Sequence, residues 1–158
     1  MTRLYARALK GQRATGTRHQ PGPNQTIIGA IALSGIVAAL TFTGSMNGMT
    51  FLTFVEQVLV PNLWPGACVI LDNLKAHHVA GVVEAIEAVG AKVIYLPPYS
   101  PDFNPIELFW SKIKKIIRDL EPSDAKSLYE SIVEAFKGAT ETDFLHWITY
   151  CCYGTPSV

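Results

Sequence analysis

The sequence predicts a mixed α/β fold, in which two antiparallel strands precede a strand–helix–strand unit and a helical C-terminal region. Residues 27–42 carry no charge and divide into two β-rich runs around Ser34-Gly35, a pattern typical of a hairpin. The runs "ACVILD" and "KVIYLP" flank the helical pattern "VAGVVEAIEAVG", which ends at Gly90. Short apolar runs of this kind are typical of buried parallel strands joined by a crossover helix.

The composition is that of a single globular domain. The chain has 158 residues, of which 49% are hydrophobic and 16% charged, so it has enough apolar material for a core. Cys68, Cys151 and Cys152 lack CxxC spacing, which suggests neither a disulfide framework nor a zinc knuckle and favours a reducing compartment. We expect a basic segment at 1–25, the sheet and most helices at 26–122, and a helical region at 123–158.

The uncharged residues 27–42 raise the alternative of a membrane span. A spanning helix needs roughly 20 apolar residues, and this stretch has 16 with a turn signal at its centre. The N-terminal "MTRLYARALKGQR" is basic but has no apolar region followed by a cleavage site, so it does not resemble a signal peptide. The hairpin is therefore favoured, and we expect a cytoplasmic protein.

Three further helices follow from the spacing of apolar residues. "GMTFLTFVEQVLVPNL" has a helical pattern that ends near Pro61, and a last helical stretch from about Ser123 to Tyr150 breaks near Gly138. Between them, residues 106–120 form one apolar stripe. The opposite face of that helix holds four cations, Lys112, Lys114, Lys115 and Arg118. This basic face is either a solvated surface or a contact for phosphates.

Asp72 is the first candidate functional residue, because it ends the strand "VILD". The carboxyl ends of parallel strands form the edge of an open sheet at which ligands bind. A carboxylate at that edge faces a crevice. The alternative is an Asp that only caps a turn or a helix after the strand.

Glu107 is the second candidate, and it has a strong structural alternative. In "FNPIE", Asn104 suits the N-cap, Pro105 suits the first helical position, and Glu107 falls at the third, where a capping box would place it. A cap does not explain the rigid "LPPYSPD" that precedes it. If the two strands are neighbours, Glu107 comes near Asp72, and two carboxylates are the kind of ligand that Mg²⁺ takes.

Two stretches of the sequence resemble one family. They are "VILDNLKAHH", with Asp72, Asn73 and His77, and "YLPPYSPDFNPIELFWSKIK", with Asn104 and Glu107. Thirty-four residues separate the two acids. Motif and spacing resemble the catalytic domain of the mariner superfamily of DDE transposases, especially its bacterial insertion-sequence branch.

The resemblance implies a ribonuclease H-like mixed sheet flanked by helices, and a site in which three acids bind two Mg²⁺ or Mn²⁺ ions. Asp72 and Glu107 would be the second and third acids, with Asn73, His77 and Asn104 supporting them. The implied chemistry is DNA strand cleavage and joining. The implied partners are transposon-end and target DNA and another transposase chain, which would place an active protein at the nucleoid.

The first acid of such a site has no counterpart in the sequence. "RLYARALKGQR" resembles the stretch that follows this acid in the family, with Ala6 where a Gly is usual, and Glu56 is the only acid before Asp72. We therefore expect the central strand to be missing and two sheet edges to face each other, where unpaired buried groups cost roughly 1–3 kcal/mol each. The chain is predicted to be inactive alone and to bind metal weakly. The alternatives are a non-catalytic transposase remnant and a small membrane-associated protein.

Overall fold

The computed structural model describes residues 9–11, 24–151 and 153. Its elements, in chain order, are β1 (Gln25–Ala32), β2 (Gly35–Thr43), α1 (Gly48–Phe54), β3 (Cys68–Leu71), α2 (Val82–Glu87), β4 (Lys92–Tyr95), α3 (Pro105–Leu120), α4 (Ala125–Lys137) and α5 (Glu141–Tyr150). This is the mixed α/β order predicted from the sequence. Most of the basic N-terminal segment, including Ala6, lies outside the described residues.

The predicted hairpin is present, with its turn one residue earlier than expected. β1 and β2 are antiparallel, and Ala32 pairs with Gly35 across the two-residue turn of Leu33 and Ser34. Gly35 has a φ of 124°, a conformation that glycine adopts without the steric cost of a Cβ. No helix among the described residues is long and apolar enough to cross a membrane.

The predicted parallel pair is also present. β3 and β4 pair in parallel from Cys68 with Lys92 to Leu71 with Tyr95. The prediction that both strands are buried is wrong for β4, because the Ile94 side chain is 52% exposed. α2 and the segment that precedes α2 cover only one face of β4. The residues on the other face of β4 are therefore exposed to solvent.

The hairpin carries helices on both faces. Ile28 and Ala38 belong to a core with α1, α2 and β3, whereas Ile27 and Ile31 pack against a second core formed by α3, α4 and α5. Successive strand residues point to opposite faces, so this alternation serves both cores. Gly29 lets α3 approach closely, because a Cβ there would lie 3.2 Å from the Trp110 ring.

The predicted helices are present with small changes. α1 continues beyond Phe54 as a π-helical segment, Val55–Leu59, and a 3₁₀ turn, Val60–Asn62. α3 buries Phe109, Ile113 and Ile117 as its apolar stripe predicts. The break near Gly138 separates α4 from α5, whose N-caps are Asp124 and Thr140.

Candidate catalytic site

A groove of about 410 Å³ lies between the hairpin and the parallel pair. Six consecutive residues of β1 (27–32) and six at β3 (67–72) line it. Side chains alternate between the faces of a strand, so an unbroken run of lining residues means that the strand edges face the cavity. Within the described part of the chain, β1 pairs only with β2 and β3 only with β4. These residues define the inter-sheet groove, with the two strand edges open toward it.

The two predicted acids both lie on this groove. Asp72 directly follows β3 at its carboxyl end, and Glu107 is in the first turn of α3. Both line the inter-sheet groove, together with the other predicted residues His77 and Asn104. The fold thus brings together residues that are 35 positions apart in the sequence.

The carboxylate of Asp72 is held in place by its own loop. Its Oδ1 accepts a hydrogen bond from the Leu74 backbone N–H at 3.0 Å and lies 2.7 Å from Nδ1 of His77. Both contacts use the same oxygen, which leaves Oδ2 for a ligand. The side chain of Asp72 is 43% exposed, and that of His77 is 14% exposed. Asp72 is therefore oriented without being buried.

The turn that carries His77 is fixed from β4. The Tyr95 hydroxyl donates to the backbone carbonyl of His77 at 2.9 Å, and the His78 ring stacks on Tyr95 with a centroid distance of 4.2 Å. Burial, reinforced by the charge of Glu84, raises the pKa of Tyr95 above its usual value. Asn73, predicted as a supporting residue, contacts His78 Nε2 through its Oδ1 at 2.6 Å. Sequence patterns had not indicated the role of Tyr95.

The capping box predicted as the alternative role of Glu107 is absent. The backbone N–H of Asn104 donates to the carbonyl of Pro101 at 2.9 Å, within a 3₁₀ turn, so Glu107 has no free cap donor to reach. Asn104 is the N-cap residue, but its side chain makes no capping hydrogen bond. Glu107 keeps its backbone place in the first turn while its side chain stays exposed.

Exposed cationic side chains follow Glu107 along the surface of α3. Lys114 and Arg118 follow Glu107 by seven and eleven positions, close to two and three turns at about 3.6 residues per turn. With Ser111, these exposed residues form one line along the helix, which we call the α3 track. Lys115 is exposed beside this line. At about 1.5 Å per residue, the track places the two cations about 10 and 17 Å from Glu107 along the axis.

Lys112 differs from the other three predicted cations. Its ammonium group donates to Asp143 of α5 at 2.5 Å. This contact, with hydrogen bonds from Thr140, holds the pKa of Asp143 at about 2. Lys112 is thus engaged in joining two helices, a partnership that the local sequence could not reveal.

The chain matches the family model described as "DDE superfamily endonuclease" over residues 1–129. It belongs to the DDE superfamily endonuclease family. No curated protein matches the sequence.

Solved structures of a mariner-type transposase resemble the fold. The Mos1 strand transfer complex aligns with a TM-score of 0.75 and 16% identity, over 95% of this chain and 47% of that one. A Mos1 paired-end complex with the left transposon end gives a TM-score of 0.77 and 17% identity, also over 95% and 47%. A third structure, a Mos1 mariner paired-end complex with Mn, gives a TM-score of 0.76 and 16% identity. This alignment covers 92% of this chain and 46% of that one. The predicted ribonuclease H-like fold is thereby confirmed, and the chain spans about half the length of those transposase chains.

The described residues contain no group of three or more His, Cys, Asp and Glu side chains that could hold a metal ion. Among the residues that the structure describes, Asp72 and Glu107 are the only acids lining the inter-sheet groove. Glu56 is exposed in the π-helical segment and is not among the residues that line the groove. Asp102 shares a smaller pocket of about 190 Å³ with Glu107.

Proposed function

We propose that this DDE-family domain supplies two of the metal-binding carboxylates for cleavage and joining of DNA strands in transposition. The observation that carries the proposal is the meeting of Asp72 and Glu107 at one groove, in a chain of this family. The carboxyl end of a parallel strand is the expected position for a ligand site.

Asp72 and Glu107 would hold Mg²⁺ or Mn²⁺. Both are hard oxygen donors with exposed carboxylates at a solvent-accessible groove, and Oδ2 of Asp72 is left open by its hydrogen bonds. Paired ions of this kind stabilise the attacking and leaving oxygens of a phosphoryl displacement. His77 orients Asp72, as neighbours of metal ligands commonly do. Asn73 would act less directly, through its contact with His78.

The groove could also receive the third ligand that the proposed reaction needs. Its two open edges both offer backbone N–H and C=O groups with which an added extended strand could pair. A strand paired in parallel with β3 would end beside Asp72, where a carboxylate could complete the site. The chain without such a strand should bind metal weakly and leave DNA intact.

DNA fits the exposed face that leads away from Glu107. Lys114 and Arg118 lie along the α3 track, and Lys115 lies beside it. Backbone phosphates attract such cations irrespective of base sequence. If metal ions held by the two acids bind one phosphate, the next phosphates of the same DNA strand would lie along these cations. We leave Lys112 out of this contact because Asp143 engages it.

The deciding experiment is a nicking assay on supercoiled DNA with Mg²⁺. The 158-residue chain should be silent, whereas a fusion to a strand segment bearing the first acid, taken from a close relative, should nick. D72N and E107Q in that fusion should abolish nicking and leave thermal unfolding cooperative. Metal-dependent nicking that persists in both variants would place the reaction elsewhere.

A second candidate function is a non-catalytic remnant that binds DNA or another transposase chain. The observation in its favour is that the described residues hold no three-acid cluster. This reading predicts that the completed fusion binds DNA but never nicks it. Under either reading, localisation in the cytoplasm or at the nucleoid stays a prediction.

A further inference from the structure

The loop between β4 and α3, residues 96–104, presents one aromatic ring entirely to solvent. Tyr99 has a relative exposure of 102% and a backbone φ of 57°. A bulky residue rarely adopts this left-handed conformation, because it is sterically strained. The ring is not buried in either core, so packing does not offset that strain. Strained residues of this kind are enriched at ligand-binding sites, so an exposed aromatic ring here is a candidate contact for a ligand.

The backbone of the loop that carries Tyr99 is constrained. Pro97 and Pro98 precede Tyr99 and Pro101 follows Ser100, and each proline fixes its own φ. The backbone N–H of Phe103 donates to Ser100 O at 3.2 Å. The hydroxyl of Tyr153, from the other end of the chain, donates to the Phe103 carbonyl at 2.7 Å. A residue whose backbone is held in this way has only its side-chain torsions left to fix when it binds a partner.

The position of the loop suggests which partner. It leads directly into α3, and its residues Pro101 and Asp102 share a pocket with Glu107. The cations of the α3 track lie on the other side of Glu107 along the chain. An aromatic residue at one end and phosphate-binding cations at the other match the two chemical parts of a nucleic acid strand.

We infer that Tyr99 stacks on an unpaired nucleobase of the DNA strand whose phosphates follow the α3 track. This inference rests on the proposed function. Every base has a π-face, so such stacking tolerates any sequence. A tyrosine offers this surface with only two side-chain torsions to fix. Tyr99 is thus a positioning residue for the strand beside Glu107.

The test compares binding of two labelled duplexes at low salt by fluorescence anisotropy. One duplex has a short unpaired 3′ tail, and the other has the same tail made of abasic nucleotides. Y99A should weaken binding of the first about fivefold or more, as expected for losing about 1 kcal/mol or more of stacking. Y99F and Y99W should retain it. The abasic tail should reduce the wild-type affinity to that of Y99A and leave Y99A unchanged.

Two further variants separate stacking from structure. Y99G should unfold at a higher temperature than wild type, because glycine relieves the left-handed strain, and yet bind the tailed duplex as weakly as Y99A. Y129A removes another exposed tyrosine, on α4, and should bind like wild type. Equal affinity of wild type, Y99A and Y99G for the tailed duplex would overturn the inference. It would also be overturned if Y99A lost self-association but kept the wild-type affinity for that duplex. If wild type binds neither duplex, the proposed DNA function itself fails.

Discussion

The imidazole of His77 lies against the carboxylate of Asp72, with Nδ1 2.7 Å from Oδ1. On its other side the same ring packs against Phe51, with a centroid distance of 4.2 Å. The backbone of His77 is held by the Tyr95 hydroxyl. Phe51 of α1 and Tyr95 of β4 therefore help His77 to orient Asp72, although both are distant from Asp72 in sequence.

Removing His77 should weaken metal binding without abolishing it. We expect H77A to lower Mn²⁺ affinity by about 10-fold or more, the range typical of residues that orient metal ligands. D72N and E107Q should reduce it further, from a wild-type affinity that is millimolar at best with two carboxylates. Calorimetry or paramagnetic broadening by Mn²⁺ measures this series. H146A, which removes an exposed histidine on α5, is the matched control. Micromolar affinity that survives D72N and E107Q would place the metal elsewhere.

The sequence predicts the parts of the site that depend on local pattern. Apolar runs identify β3 and β4, and the end of "VILD" places Asp72 at the carboxyl edge of the sheet. The stripe of α3 identifies its buried face, and therefore its exposed one. The alignment of Lys114 and Arg118 with Glu107 follows from the helical period and was available from the sequence.

Other features depend on contacts that local pattern does not encode. The "FNPIE" stretch has the residues of a capping box, but the 3₁₀ turn before it takes up the Asn104 N–H. Lys112 looks like its basic neighbours until α5 brings Asp143 to it. Nothing in "LPPYSP" indicates that Tyr99 adopts a left-handed backbone, because a bulky residue rarely takes that conformation.

The cations beside Glu107 should give DNA binding a steep salt dependence. If Lys114 and Lys115 contact phosphates, replacing both with alanine should flatten the slope of log K against log salt by about one unit per lost contact. The effect should be the same for unrelated DNA sequences. Anisotropy titrations at several salt concentrations give the slope. The pair K126A/K137A, on α4, is the control with equal charge change. Equal slopes for wild type and K114A/K115A would make these lysines a solvated surface.

Asp143 should contribute stability that depends on pH. Its folded pKa of about 2 lies below the usual unfolded value of about 3.9, because Lys112 and Thr140 stabilise the charged form. The contribution is therefore present above about pH 4 and is lost as pH falls through about 2. Loss of the ion pair and cap in D143N should cost about 1 kcal/mol at pH 7, or roughly 2–4 °C in Tm.

Thermal unfolding of wild type and D143N from pH 7 to pH 2 tests this sign. The difference in Tm should be constant down to about pH 4 and should narrow below it. E130Q, whose exposed partner Lys126 lies 4.0 Å away, should change Tm by much less. A D143N deficit of the same size at pH 2 and pH 7 would show that packing, rather than charge, is responsible.

The inter-sheet groove should accept a strand, and the reactivity of the Cys68 thiol should show whether a strand occupies it. Cys68 is exposed in β3 and lines the groove, so its thiol should react readily with a maleimide in the 158-residue chain. The open edges of β1 and β3 should also make this chain prone to self-association. Fusing the strand segment of a close relative to the N-terminus should protect Cys68 and stabilise the fold by about 1 kcal/mol for each hydrogen bond formed.

Peptide mapping of the alkylated protein gives the rate at Cys68, and sedimentation gives the association state. The matched control carries a proline at the centre of the added strand, which removes a ladder donor and should restore both reactivity and association. Protection by both fusions would mean that added mass alone shields the thiol. Mg²⁺-dependent nicking by the chain without any added strand would contradict the predicted need for that strand. Such nicking would require a third carboxylate, and the described residues that line the groove include only two.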